Sequence, residues 1–381
     1  MIQPVSHSHW QDVGAVQVRT NPLPGRFPVG VCHYHALDPA RMDPQDGGQR
    51  QFMVSAFYPA EPQEEAGEAR LVDIFEPAVQ EALAYLTEGL EGETREDLIL
   101  KLRSIGLQSA RGGSPQRSGA PYPVLVYYPA GESNRFANVD ICEGLASQGY
   151  VVLAVDGPHD ASLIVFPDGH RCTGPLEGDY VSPGVGDVRY LLSQLDELNG
   201  DGVLGGMMDT ERVGVFGHSR GGYIANITAF RCERVKAAVS IDSFLWGYAA
   251  GLEGHPPDFQ TKVRSTSKPL LRLCGRPAGG NPQKEAEFCL NRDGGDFIGD
   301  FSVAAFPGWA HRDFRTTPWS CGKGPDLLAN QAQARPNAAE TLTEILTTFF
   351  NIHLLGADPD QLYSCIRQHP ALGVVTRPAI K

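Results

Sequence analysis

The chain is organised around one stretch, Arg212-Val213-Gly214-Val215-Phe216-Gly217-His218-Ser219-Arg220-Gly221-Gly222. Its first half is a short apolar run typical of a β-strand, and a Gly-x-Ser-x-Gly pattern follows at once. Residues 223–230 are expected to form a helix. The order strand, sharp turn, helix is typical of a nucleophile elbow, which exposes a serine hydroxyl at the top of a sheet. The pattern alone fixes only three positions and can arise by chance, but its context favours the elbow.

The glycines of this pattern have a steric purpose. An elbow holds its serine, here Ser219, in a strained backbone conformation. A side chain at Gly217 or Gly221 would collide with the neighbouring strand or helix. The amide of Arg220, in the first turn of the helix, is then expected to point to the place where an oxyanion would form.

A second oxyanion donor is expected from the loop that follows the predicted strand 124–128. That loop reads Pro129-Ala130-Gly131-Glu132-Ser133. The glycine lets the backbone approach a ligand closely, so the amide of Glu132 is the first choice for the donor. The amide of Gly131 is the second choice.

Length, composition and net charge restrict the class of protein to which this chain can belong. The chain has 381 residues, 41% of them hydrophobic, and a net charge of −13. This length suits one α/β domain with insertions, here taken as a single domain over residues 1–381. The acidic balance argues against nucleic acid or an anionic membrane surface as the partner. Neither a signal peptide nor a membrane-spanning run is evident, so a cytoplasmic protein is expected.

The eight cysteines are scattered and include no CxxC pair. Cys142 and Cys274 fall in a probable helix and a probable strand, so small buried hydrophobic residues are their simplest interpretation. Disulfides are the alternative, because the even count permits them. No cofactor and no metal ion is expected from the sequence.

Apolar strands and helical segments alternate from residue 124 onward. Strands are expected at 124–128, 150–155, 212–217, 235–241, 269–274 and 302–306. Helices are expected at 139–148 and 184–198, and Pro336 is expected to open a last helix. This alternation predicts a mostly parallel sheet with helices on both faces. With an N-terminal pair of strands, the sheet would have about eight strands.

The N-terminal pair is predicted from the runs 29–35 and 51–58, which turn residues separate. This pattern indicates an antiparallel hairpin. His33 and His35 would share one strand face. A solvated face is the expected interpretation, and a metal site is the weaker alternative because no further ligand is adjacent.

Residues 61–123 form a predicted helical insertion between the hairpin and the core. Apolar residues from Phe75 to Leu86 have helical spacing, and those from Leu98 to Ile105 suggest a second helix. The insertion is interpreted either as a lid over the active site or as a surface helical pair with no role in binding. The tail from Asp358 has no clear pattern.

A serine nucleophile needs a histidine as general base and a carboxylate to fix that histidine's tautomer. In an elbow fold the chain order is serine, acid, histidine, each at the carboxyl end of a strand. Asp242 directly follows the strand after the elbow and His311 follows the last strand, so they complete a predicted triad with Ser219. Glu285 and Glu287 are alternative acids, and a helix N-cap or turn residue is the alternative role for Asp242.

Other side chains are candidates for the substrate pocket. His159 also follows a strand, but it precedes the serine, so it is interpreted as a pocket or substrate-orienting residue. His218 lies inside the elbow, and its side chain is expected to point away from the serine. The pocket assignment also includes Tyr223, Phe244 and Trp309.

These residues together resemble the α/β-hydrolase family of plasma-type platelet-activating factor acetylhydrolases and their microbial relatives. The resemblance spans about residues 27–314. Its segments are Phe27-Pro28-Val29-Gly30, Ala56-Phe57-Tyr58-Pro59, residues 150–162, Asp187-Val188-Arg189-Tyr190, the elbow, Ile241-Asp242-Ser243-Phe244 and His311. An acid directly after the strand that follows the elbow is particular to this family, which favours Asp242 over the later glutamates. The family often has His-Gly-x-Gly at the oxyanion loop, where this chain has Ala130-Gly131-Glu132-Ser133.

The resemblance implies an α/β-hydrolase fold and a calcium-independent serine hydrolase that cleaves short or oxidised acyl esters. The predicted function is hydrolysis of a carboxylic ester, thioester or lactone through a Ser-His-Asp triad and an acyl-enzyme. Two alternatives stay open: a cyclase or acyl transferase in small-metabolite biosynthesis that uses the same site, and a non-catalytic binding protein on the same fold. The expected partner is a small-molecule acyl substrate, and the oligomeric state stays open.

Overall fold

The structure is a computed structural model that describes residues 1–5, 16, 18–62, 67–76, 78–174, 181–243, 267–294, 297–317, 323–331 and 335–379. Its strands are β1 (Ile2–Pro4), β2 (Val18–Arg19), β3 (Val29–Met42), β4 (Gln49–Pro59), β5 (Gly67–Arg70), β6 (Ile105–Arg111), β7 (Tyr122–Tyr128), β8 (Val151–Val155), β9 (Ile164–Val165), β10 (Arg171–Cys172), β11 (Met208–His218), β12 (Val235–Ile241), β13 (Leu270–Arg276), β14 (Phe301–Pro307) and β15 (Gly373–Arg377).

The helices of the described ranges are α1 (Val79–Leu86), α2 (Gly92–Arg103), α3 (Val139–Ser147), α4 (Val181–Ser193), α5 (Leu195–Leu198), α6 (Arg220–Arg231), α7 (Pro282–Gly294), α8 (Gly324–Gln331), α9 (Ala338–Leu355) and α10 (Asp360–Arg367). Three 3₁₀ turns lie at Leu71–Phe75, Arg117–Gly119 and His311–Phe314.

The main sheet positions the elbow strand at its centre. Its strand order is β15-β14-β13-β12-β11-β7-β8-β4-β3-β6-β2, with β1 on β3 and β5 on β6, which makes 13 strands. Strands β8, β7, β11, β12, β13 and β14 run parallel to one another, so their carboxyl ends meet at one edge. The six predicted core strands are thus confirmed in a mostly parallel sheet, but the prediction of about eight strands was too low.

The two faces of the sheet bury separate apolar layers. On β11, Phe216 packs into the layer that includes α3 and α9, whereas Val215 packs into the layer that includes α4 and α6. Successive side chains of a strand point to opposite faces, so a strand covered on both sides must be apolar throughout. This is why β7, β8 and β12 appear in the sequence as nearly continuous apolar runs.

Most predicted helices are present with small differences in length. The first coincides with α3, and the last coincides with α9, which buries Leu342, Ile345, Leu346 and Phe349. The single helix predicted at 184–198 is two helices, α4 and α5, with a break at Gln194. The tail was expected to lack pattern, but it contains α10 and β15, and β15 pairs antiparallel with β14.

The segment 61–123 is only partly helical. It contains α1 and α2, as predicted, but the second helix ends at Arg103 and Ile105 begins β6. Strand β6 pairs with β3 and β5, so this segment contributes strands to the main sheet. The two predicted helices are thus present, but the predicted extension of the second helix to Ile105 was wrong.

The hairpin of β3 and β4 is antiparallel, as predicted. Its two histidines do not form a solvated face, because His33 is buried and its Nδ1 lies 2.8 Å from Ser55 Oγ. The His35 Nε2 lies 2.8 Å from Gln51 Oε1, and partial burial lowers the pKa of this histidine. One nitrogen of each ring is thus within hydrogen-bond distance of a side chain on the opposite strand of the hairpin.

The cysteines of the described ranges are free thiols, and they include buried Cys142 in α3 and buried Cys274 in β13. The sulfur atoms of Cys274 and Cys289 are 3.4 Å apart. None of the helices in the described part of the chain has the length and apolar character needed to cross a bilayer.

Candidate active site

Ser219 occupies the turn between β11 and α6 with a strained backbone, at φ 55° and ψ −120°. Its amide donates a hydrogen bond to the Ile241 carbonyl at 2.8 Å, which ties the turn to β12. A Cβ at Gly217 would lie 2.3 Å from the carbonyl carbon of Gly221, and one at Gly221 would lie 2.0 Å from the Tyr128 oxygen. Only glycine fits these two positions, so the sharp turn depends on the Gly-x-Ser-x-Gly spacing.

Asp242 and His311 are in direct contact at the same edge of the sheet. The Asp242 Oδ2 lies 2.6 Å from Nδ1 of His311, and its Oδ1 accepts a hydrogen bond from the Gly275 amide at 2.8 Å. A carboxylate held in this way requires a proton on Nδ1, and Nε2 is then the basic nitrogen of the ring. This is the tautomer that a general base next to a serine needs.

The three residues of the predicted triad line one cavity of about 730 Å³. Among the described residues, the lining is Gly131, Glu132, Val181, Ser219, Arg220, Tyr223, Asp242, Ser243, Arg272, Gly275, Arg276, Arg292 and His311. The Ser219 hydroxyl and the His311 ring share this cavity without a hydrogen bond between them. Such bonds are often long and tighten only around the substrate.

The oxyanion loop differs from the first choice made from the sequence. The amide of Glu132 donates to the Asp160 carbonyl at 2.7 Å, so it is not available for an oxyanion. Glu132 has a φ of 59°, which is in the left-handed region that turns use. The assignment of this amide was therefore wrong, and the amide of Gly131, which lines the cavity, is the candidate that remains together with that of Arg220.

The Arg220 side chain supports this loop. Its guanidinium forms an ion pair with Asp160, and it lies so close to Gly131 that a Cβ there would be 2.6 Å from its Nη1. The backbone of Gly131 thus packs directly on the guanidinium. Asp160 contacts both halves of this arrangement, because its carbonyl holds Glu132 and its carboxylate holds Arg220.

His218 lies behind His311 and does not line the cavity. Its ring is fully buried, 4.7 Å from the His311 ring, with Nε2 3.1 Å from the His311 carbonyl oxygen. Burial and the neighbouring His311 hold the pKa of His218 well below its usual range, so the ring is neutral. A neutral ring whose Nε2–H donates to this carbonyl positions the histidine loop, so the pocket assignment of His218 was wrong.

Two other pocket candidates have different outcomes. Trp309 does not line the cavity, because its ring packs against Phe306 and Phe314 at centroid distances of 4.8 and 5.1 Å. Tyr223 lines the cavity, as expected. Phe244 lies outside the described residues.

His159 lines a different cavity of about 170 Å³, next to the hairpin turn. Its Nε2 lies 2.9 Å from Asp43 Oδ1, and its Nδ1 lies 3.3 Å from the sulfur of Cys172. Its assignment to the pocket of Ser219 was wrong. Asp43, Asp46 and His159 could hold a metal ion, since their ligand atoms lie within 4.8 Å of one another. However, Asp43 already pairs with buried Arg50 at 2.7 Å, so an ion would compete with that pair.

The alternative acids are engaged elsewhere. Glu285 Oε2 pairs with Arg276 Nε at 2.6 Å, and Glu287 accepts a hydrogen bond from the Gln283 side chain at 3.5 Å. Asp242 is thus the carboxylate that contacts His311.

Three cavity residues, Arg272, Arg276 and Arg292, were not predicted from the sequence. A usable signal was present, because Arg272 interrupts the apolar run of β13 and a charged residue inside a buried strand needs an explanation. Gly275 was also missed. Gly275 contributes a backbone amide that donates to Asp242, and a backbone contact of this kind cannot be recognised from residue types in a sequence.

Sheet order and site together define an α/β-hydrolase fold, as the sequence predicted. A solved structure supports this assignment: the ferulic acid esterase from Streptomyces cinnamoneus superposes with a TM-score of 0.70 and 24% sequence identity. The alignment covers 94% of this chain and 99% of that chain. No family model matches the sequence.

Among curated proteins, the chain is similar to a probable 1-alkyl-2-acetylglycerophosphocholine esterase of Arthroderma benhamiae. The two are 27% identical over 244 residues, which are 60% of this chain and 60% of that protein. The chain therefore matches about three fifths of the length of this relative. The resemblance to platelet-activating factor acetylhydrolases, noted from the sequence, is confirmed as a similarity.

Proposed function

We propose that this protein is a serine hydrolase of carboxylic esters, with Ser219 as nucleophile, His311 as general base and Asp242 as the residue that orients the base. One observation carries the proposal. The 2.6 Å contact between His311 Nδ1 and Asp242 Oδ2 lies at the same cavity as a serine in a strained turn. A structural role explains the contact or the strain singly, but it does not explain why both occur at one cavity.

In the proposed first step, Ser219 Oγ attacks the acyl carbonyl carbon while His311 Nε2 accepts the hydroxyl proton. The carbonyl oxygen becomes an oxyanion, and the amides of Arg220 and Gly131 donate hydrogen bonds to it. Because Gly131 has no side chain, its backbone can approach the substrate closely. Asp242 stabilises the imidazolium that forms.

Collapse of this intermediate breaks the bond between the acyl carbon and the alcohol oxygen. His311 Nε2 returns its proton to that oxygen, and the alcohol leaves while the acyl group stays on Ser219. Water, deprotonated by the same nitrogen, then attacks the acyl-enzyme, and His311 passes that proton to Ser219 Oγ as the acid leaves. Both half-reactions use one base and one oxyanion site, so the chain needs no cofactor for this chemistry.

The similarities support an ester substrate. Both proteins reported above are esterases by name, one acting on an acetylated glycerophosphocholine and the other on ferulic acid esters. A cavity of about 730 Å³ has the size of a site for a small molecule. We therefore propose a short acyl ester, a thioester or a lactone as the substrate class.

The direct test is Ser219→Ala, assayed by hydrolysis of p-nitrophenyl acetate. We expect normal folding and a loss of turnover of about four orders of magnitude or more. Ser243→Ala is the matched control, because it removes another hydroxyl from the same cavity, and its rate should stay within about tenfold of the parent. A Ser219→Ala protein with near-parental turnover would exclude Ser219 as the nucleophile.

Product analysis separates the two remaining alternatives. If Ser219 is acylated but the acyl group passes to an alcohol, an amine or the substrate itself rather than to water, the site belongs to an acyl transferase or a cyclase. If Ser219 is not acylated at all and a small molecule binds tightly, the protein is a binding protein on this fold.

A further inference from the structure

One wall of the cavity is built from cationic side chains. Arg272 and Arg276 come from β13 and Arg292 comes from α7. In the described part of the chain, the carboxylates that line the same cavity are Glu132 and Asp242, and Asp242 is bound to His311. A cation-rich cavity contrasts with the net charge of −13 of the whole chain.

A single aromatic ring holds two of these arginines together. The guanidinium carbon of Arg276 lies 5.1 Å from the centre of the Phe288 ring, and that of Arg292 lies 5.7 Å from it. Each contact is a cation–π attraction, which holds the guanidinium group next to the ring. Glu285 fixes Arg276 further through the 2.6 Å ion pair. The cluster is thus positioned by its neighbours.

The third member, Arg272, is buried at the base of the cluster with only 4% of its surface exposed. Burial lowers its pKa, and the charge of Arg292 acts in the same direction. A guanidinium carries five N–H donors, so it can bind a substrate oxyanion in addition to protein groups. An anion in the cavity would therefore gain attraction from three cations in a partly dehydrated site.

The position of β13 indicates which part of an ester would meet these cations. Strand β13 lies between β12, which leads into Asp242, and β14, which leads towards His311. The arginines are therefore on the histidine side of Ser219. The alcohol oxygen must also lie on that side, because His311 returns the proton to it when the bond breaks.

We propose that Arg272, Arg276 and Arg292 form a subsite for an anionic group, a carboxylate or a phosphate, on the alcohol part of the ester. This proposal rests on the proposed esterase function. It names the substrate class as acyl esters of acidic alcohols. A guanidinium group can bind either a carboxylate or a phosphate, because each of these anions presents two oxygen atoms to a bidentate donor.

The first test compares acetyl esters that differ in the charge of the alcohol. The probes are phenyl acetate, the acetyl ester of 4-hydroxybenzoate and the acetyl ester of 4-hydroxyphenyl phosphate. Each kcat/KM is divided by the rate constant for hydroxide-catalysed hydrolysis of the same ester. We expect a preference of about tenfold or more for at least one anionic ester, and the two anions distinguish a carboxylate site from a phosphate site.

Variants then connect the preference with the cluster. Arg276→Gln and Arg292→Gln should each lower the ratio of anionic to neutral kcat/KM by about tenfold. Arg212→Gln removes the same charge in the first half of the elbow strand, where Arg212 pairs with Asp209, and should keep the parental ratio. An equal loss of the ratio in all three variants would overturn the proposal, because it would indicate an effect of net charge alone.

A binding measurement separates failure of this proposal from failure of the esterase function. The Ser219→Ala protein is titrated with 4-hydroxyphenyl phosphate, 4-hydroxybenzoate and phenol by calorimetry, which needs no turnover. We expect at least one anion to bind about tenfold more tightly than phenol, and Arg276→Gln in the same background to abolish the difference. Equal binding of all three ligands would overturn the subsite, even if the protein proves to be an esterase.

Discussion

Replacing Asp242 by asparagine should inactivate the protein through the wrong histidine tautomer, with little change in shape. In the parent, Oδ1 accepts from the Gly275 amide and Oδ2 contacts His311 Nδ1. The Gly275 amide is a donor and can face only the oxygen of the new side chain. The NH₂ group of the asparagine must then face His311, which forces Nδ1 to become an acceptor and places the ring proton on Nε2.

A protonated Nε2 cannot accept the proton of Ser219. The same substitution in a serine-protease triad lowers kcat by about four orders of magnitude through this mechanism. Such a factor corresponds to about 5.5 kcal/mol of transition-state stabilisation. We expect a loss of similar size here, because the amide of Gly275 determines how the asparagine is oriented.

The assay is kcat/KM for p-nitrophenyl acetate between pH 6 and pH 9, together with circular dichroism to verify the fold. Asp313→Asn is the matched control. It removes the same charge two positions from His311, but its carboxylate contacts the Ala310 amide and Arg335, and its activity should stay within about threefold of the parent. If Asp242→Asn kept more than a tenth of the parental activity, Asp242 would not be the orienting acid.

Three further predictions concern stability. Burial raises the pKa of Glu143 from 4.5 to about 7. The folded state therefore retains this proton to a higher pH than the unfolded state does. The free energy of unfolding consequently falls as the pH rises from about 4.5 to 7. Glu143→Gln should therefore stabilise the protein by up to about 3 kcal/mol at pH 8.5 and have little effect at pH 5, as measured by urea unfolding. Gly221→Ala should cost about 1–3 kcal/mol or more and abolish esterase activity, because its Cβ would overlap backbone oxygen atoms. Arg50→Met should destabilise the fold by about 3–5 kcal/mol, because it leaves buried Asp43 without its arginine and buried Asp187 with Arg41 alone.

Each of these has a result that would contradict it. Equal stability of Glu143→Gln and the parent at pH 8.5 would mean that Glu143 does not retain its proton in the folded protein. Gly48→Ala is the control for the elbow glycine, because a Cβ there meets nothing within 4 Å, and it should change stability by less than about 0.5 kcal/mol. A fully stable Arg50→Met protein would show that the aspartates find other partners.

The elbow and the positions of the three triad residues could be predicted because they depend on local features. The spacing of Gly217 and Gly221 around the serine is visible in the sequence, and so are the strand ends that precede Asp242 and His311. Chain order then restricts the choices further. The direction of a backbone amide could not be predicted from the sequence. The amide of Glu132 is not available for an oxyanion because it donates a hydrogen bond to the carbonyl of Asp160, a residue distant in the chain.

Other errors have similar causes. His159 follows a strand, as a site residue would, but the hairpin turn at Asp43 comes close to it and encloses it in a separate cavity. The apolar residues from Leu98 to Ile105 fit helical spacing, yet sheet pairing begins at Ile105. No described residue of 61–123 is among those that line the cavity of Ser219, so a lid role for this segment has no support in the described contacts.

The most direct measurement is labelling of the intact protein by a fluorophosphonate, followed by mass spectrometry of its peptides. An activated serine forms a phosphonyl adduct that an ordinary hydroxyl does not form. We predict one adduct, on the peptide that contains Ser219, and none in the Asp242→Asn variant under the same conditions. An unlabelled Ser219, or an adduct at another serine, would contradict the assignment of this residue as the nucleophile.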